Sequence, residues 1–92
     1  MFANVIALQK EMAEIEAQET SMHREDFEMT MIHLGLEILE ALKASKATVE
    51  SHRRYYSHNA KIVEYLDAEI AEINAEINKA NVVIKEHQLG IF

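Results

Sequence analysis

From Val63 to Ile91, apolar residues recur at alternating intervals of three and four, through Leu66, Ile70, Ile73, Ile77, Ala80 and Ile84, with His87 on the same line. That is the heptad period, with Val63, Ile70, Ile77, Ile84 and Ile91 at the a positions. An α-helix gathers such residues into one stripe, and an isoleucine stripe must be covered by other helices to leave water. The 92 residues hold no proline and only two glycines, Gly35 and Gly90, whereas a sheet or loop-rich fold needs turn residues at short intervals. The expected fold class is therefore all-α. We expect an elongated helical hairpin or three-helix bundle with coiled-coil-like packing, in a single domain over residues 1–92.

Three helices are expected, at roughly 2–19, 23–56 and 60–88. The first carries a shorter seam, Val5, Leu8, Met12 and Ile15, which lapses at Glu19; Thr20 and Ser21 are the local candidates for a break and a helix cap. The second is apolar around much of its circumference between Phe27 and Leu42, which predicts a helix surrounded by neighbours. Gly35 lies inside that stretch and is read as a close helix approach within a continuous helix. Met22, Met29 and Met31 are read as core in preference to an adaptable binding surface. The turn-tolerant cluster Ser57, His58 and Asn59 marks the next break. At the end of the third helix, Gly90 is expected to take a left-handed stop conformation, with Ile91 folded back on the last turn.

A chain of this size buries only about 60–65% of its unfolded surface. It has no cysteine, so disulfides and thiolate metal sites are excluded as staples. Self-association is then the expected source of further burial, a dimer being favoured, with Phe27, Met31, Leu34, Ile38, Leu42, Ile70, Ile73, Ile77 and Ile84 as its expected interface. No stretch reads as a membrane span or a signal peptide, so a cytoplasmic protein with no membrane partner is expected, in the host cytoplasm if the source is viral.

The net charge of −7 hides an asymmetry. Residues 1–42 carry two basic and nine acidic groups, residues 43–61 five basic and one acidic, and residues 62–92 two basic and six acidic. On a helical projection Lys43, Lys46, Arg53, Arg54 and Lys61 form one cationic stripe beside the seam residues Leu42, Val49, His52 and Tyr56; a turn at 57–59 would take Lys61 out of it. Lys46, Arg53, Arg54, Tyr55, Tyr56 and Lys61 are the candidate partner-binding residues. The guanidinium groups can fork onto phosphate or carboxylate, and a tyrosine can stack on a base. The competing reading, which we prefer on sequence grounds, pairs the stripe internally with acidic faces that include Glu69 and Glu76.

Chemistry beyond binding finds little support. His33 and Glu37 stand four apart and His23 and Asp26 three apart, but no H-E-x-x-H or di-iron carboxylate pattern is present, so no metal site and no cofactor is expected. His87 reads as a tolerated polar residue near a fraying end. The serines lack a nucleophile context, and outward-facing carboxylates lack the burial that would perturb them, so no enzymatic activity is expected. The expected function is a non-enzymatic helical interaction protein, an adaptor, assembly factor or inhibitor binding an unidentified protein partner. Phage-encoded inhibitors and viral accessory proteins are among the classes that fit. The alternative is an oligomeric binder of a phosphate-bearing ligand or nucleic acid through residues 52–61, though overall acidity weighs against nucleic acid. DNA mimicry is weaker, since 16 carboxylates are offset by nine cations with no dense acidic run.

Overall fold

A computed structural model describes residues 3–91. Helix α1 (Ala3–Glu16), a 3-10 turn (Glu19–Ser21), helix α2 (Arg24–Tyr55) and helix α3 (Ala60–Ile91) follow in order. The expected start at residue 2 lies outside the described residues. Helices α2 and α3, each 32 residues long, form an antiparallel hairpin, and α1 lies along α2. The molecule measures 54 × 23 × 15 Å with a radius of gyration of 16.1 Å. A compact domain of similar length has a radius near 13 Å, so this one is an elongated rod. None of its helices is long and apolar enough to cross a membrane.

The core runs between the three helices. Val5 of α1, Ile38, Leu42 and Val49 of α2, and Leu66, Ile73 and Ala80 of α3 are buried together, with Leu8, Met12, Ile70 and Ile77 packed against them. The α3 seam thus finds its cover on α2, as its period requires. Phe27, Met31, Leu34 and Ile84 are also buried, so most of the expected oligomer interface is enclosed by the chain's own helices. The belt of α2 is not surrounded. Two neighbouring helices cover two sides of it, and Met29 (55% exposed) and Leu36 (49%) face outward. Of the methionines, Met31 is core, Met22 half-buried and Met29 surface.

Local chemistry explains the ends. Glu16 closes α1 three residues before the expected limit, and the chain tightens through the 3-10 turn, where Ser21 Oγ donates to the Gln18 carbonyl at 3.0 Å. Neither Thr20 nor Ser21 caps α2. The N-cap position falls to His23, which offers no side-chain cap bond. The hairpin turn falls at 56–59 as expected, because Asn59 can cap α3: its Oδ1 accepts from the Ile62 amide at 3.2 Å.

Both glycines serve close approach. Helix α2 passes through Gly35 without a break, and a Cβ there would lie 2.7 Å from Ile84 Cγ1. Gly90 does not stop α3, contrary to expectation. It keeps a negative φ and the helix continues to Ile91. A Cβ on it would lie 2.8 Å from the Glu28 carboxyl carbon, so the glycine leaves room for a buried acid instead of turning the chain.

Candidate interaction surface at the hairpin tip

The turn between α2 and α3 carries the basic segment to one end of the rod. Arg53 points across the hairpin to Asp67: Nε and Nη2 donate to the two carboxylate oxygens, the latter at 3.3 Å. The hydrogen bond and the adjacent guanidinium hold the Asp67 carboxyl below its usual range, and the same bond raises the already high Arg53 value. The acid that meets the basic stripe is therefore Asp67, not Glu69 or Glu76. Glu76 instead accepts from Gln9 Nε2 at 3.1 Å and from Lys79 Nζ at 3.2 Å, tying α1 to α3. Asp67 is nearer the turn and level with Arg53, whereas Glu76 faces α1.

The rest of the stripe divides. Lys46 is half-buried and Arg54 is exposed on α2, while Lys61 lies past the turn on α3. Among the described residues none of these three has a carboxylate within ion-pair distance. Tyr55 (74% exposed) and Tyr56 stand edge to face with ring centres 4.8 Å apart. Tyr65, one turn along α3 from Lys61, is 70% exposed. The tip therefore gathers exposed tyrosines with uncommitted cations, beside the one cation that is internally bound. Tyr65 was missed in the sequence because it lies outside the basic run; only the hairpin geometry brings it there.

The other polar node is at the far end. Glu28, 5% exposed, is the buried charged residue of the core. His87 Nδ1 lies 2.5 Å from its Oε2, and since a carboxylate only accepts, the imidazole donates. Arg24 Nη2 approaches Oε1 at 3.6 Å, and the Phe27 ring meets His87 edge-on at 5.5 Å. His87 is thus a fixed partner and not a residue at a frayed end. Their signal was present in the sequence: a polar residue interrupting each of two facing apolar stripes. An open recess of about 340 Å³ beside this node is lined by His23, Arg24, Glu25, Glu28, Gly90 and Ile91. His33 and Glu37 do pair, at 2.8 Å on the surface, but among the described residues no three His, Asp or Glu side chains gather as metal ligands. Compared with protein-family models, curated proteins and solved structures, the chain matches none.

Proposed function

We propose that this chain is a non-enzymatic interaction protein that grips an acidic segment of a partner protein with the α2–α3 tip. The observation that carries this reading is the juxtaposition of exposed Tyr55, Tyr56 and Tyr65 with Arg54 and Lys61, cations lacking an internal acid, on a molecule of net charge −7. Tyrosine supplies rigid contact area at low entropic cost, and tyrosine and arginine are enriched at interface hot spots. Arg53, held by Asp67, fixes the end of α2 on which Arg54 and Tyr55 stand. The acidic remainder of the rod repels acidic partners elsewhere and so directs them to the tip. Adaptor, assembly factor and inhibitor are all roles such a rod can fill.

The reading is tested by titrating a fluorescent polyglutamate peptide and a single-stranded oligonucleotide at low and physiological salt. Peptide binding that falls with salt and is lost in a Tyr55→Ala, Arg54→Ala, Lys61→Ala variant of unchanged helicity is the expected result. Binding of the oligonucleotide alone would replace the protein partner with a phosphate-bearing one. Binding of neither at low salt removes the tip as an anion-directed surface.

A further inference from the structure

Helix α3 carries a second heptad line on its outer face. Ala68, Ala71, Ala75, Asn78, Val82, Lys85 and Leu89 follow one another at intervals of three and four, opposite the buried isoleucine seam, and every one is exposed. Val82 is 55% and Leu89 67% exposed, large values for apolar residues on a helix whose inner face is already covered. Flanking this line on one side are Tyr65, Glu72, Lys79 and Glu86, and on the other Asp67, Asn74, Asn81 and Gln88.

We propose that a second copy of this chain docks here, α3 against α3, in antiparallel register about a two-fold axis between Ala75 and Asn78. In that register Ala71 lies opposite the second copy's Val82 and Ala75 opposite its Asn78, small against larger in each layer, which lets the helices approach closely. The charges fit the same axis. Antiparallel pairing sets Glu72 against the second copy's Lys79, and the two-fold repeats that attraction. Lys79 is available for it, being largely exposed and held only by Glu76 at 3.2 Å on its own helix. Lys85 falls opposite the second copy's Ala68, at an open recess of about 200 Å³ lined by Tyr65, Ala68, Glu69 and Glu72. A cation from one copy thus enters an acidic hollow of the other, twice.

Parallel pairing fails on the same residues. It would set Asp67 against the second copy's Glu72 and stack Lys85 on Lys85, like against like. The inner seam offers no alternative, since Ile73, Ala80 and Ile84 are buried within the chain. A single pair of helix faces makes an interface at the small end of the range, below about 1,200 Å². The expected assembly is therefore a dimer with a micromolar dissociation constant.

Sedimentation equilibrium from low micromolar to submillimolar concentration reads the association of the 10.6 kDa chain. The wild-type protein should dimerise. Lys79→Glu should weaken the dimer roughly tenfold by turning two attractions into repulsions, and adding Glu72→Lys should restore it. Both side chains are exposed, so helicity should stay constant throughout. As the chain has no native cysteine, direction can be read by oxidising a mixture of Ala71→Cys and Val82→Cys proteins. A 71-to-82 cross-link in preference to 71-to-71 supports the antiparallel register. A monomer at every concentration overturns the proposal, as does a dimer indifferent to Lys79→Glu or one that cross-links 71 to 71. None of these outcomes depends on binding at the hairpin tip.

Discussion

Replacing His87 by alanine should be among the costlier single changes in α3. The imidazole donates to a carboxylate that is 5% exposed, and its side chain is itself only 17% exposed. Losing a hydrogen bond to a buried charged group costs about 1.5–3 kcal/mol. Losing the edge-on contact with Phe27 adds about 0.5–1 kcal/mol, and the better helix propensity of alanine returns about half a kcal/mol. Arg24, 3.6 Å from the other oxygen, remains and keeps the carboxylate from being wholly unpaired. The net loss should be about 2–3 kcal/mol, a large share of the roughly 5–14 kcal/mol typical of a chain this long. Urea unfolding followed by circular dichroism, at one fixed protein concentration because association would add to stability, gives the number directly. The reasoning makes a second demand. Glu28→Leu with His87→Leu removes both partners, so the double change should cost much less than the sum of the single ones. His87→Ala within half a kcal/mol of wild type, or single costs that simply add, would refute the buried pair.

Three further changes probe other parts of the fold. Gly35→Ala places a Cβ 2.7 Å from Ile84 Cγ1, and Ile84 is β-branched and buried, so the helices must part or Ile84 must leave its rotamer. Overpacking of about 1–3 kcal/mol should outweigh the roughly 1 kcal/mol gained in helix propensity, giving a lower melting temperature that Ile84→Ala partly uncouples. Asn59→Ala removes the cap on the Ile62 amide and should cost about 1 kcal/mol in the same urea assay. For Asp67 the folded-state value is lowered, so its contribution is present above the ordinary carboxylate range and is lost as pH falls through the folded value. The difference in melting temperature between wild type and Arg53→Ala should therefore shrink below about pH 4 and stay constant above pH 5; a difference unchanged at pH 2 counts against the pairing.

The helices and their order were legible because period is a local property: the isoleucine line, the Val5–Met12 line and the Ser57–Asn59 turn each follow from a few neighbouring residues. What was not legible depended on which residues meet. Gly90 has the context of a helix stop, and only the presence of Glu28 on the facing helix turns it into a spacer. Arg53 was singled out, but its partner could not be separated among Asp67, Glu69 and Glu76, which lie within nine residues of one another on an acidic helix. That choice is set by the level at which α2 and α3 pair, a quantity no single helix carries.

The same distinction bears on assembly. Residues such as Met31, Ile38, Leu42 and Ile73 have a period that fits an oligomer and a monomer core equally well, and the chain uses them to cover itself. Hydrophobic burial in the single chain then no longer requires a partner, because the shortest helix, α1, already closes one side of the α2–α3 hairpin. Any association must be built from the outward line of α3 or from the tip, where side chains are exposed in the folded chain. Folding and association are thereby separable. Substitutions at Val82, Lys79 or Tyr55 should alter binding at constant stability, whereas Leu42→Ala or Ile73→Ala should lower stability by about 2–5 kcal/mol. If Lys79→Glu instead melted the fold as it dissolved the dimer, the monomer would not be the stable unit, and the core would have to be shared between copies.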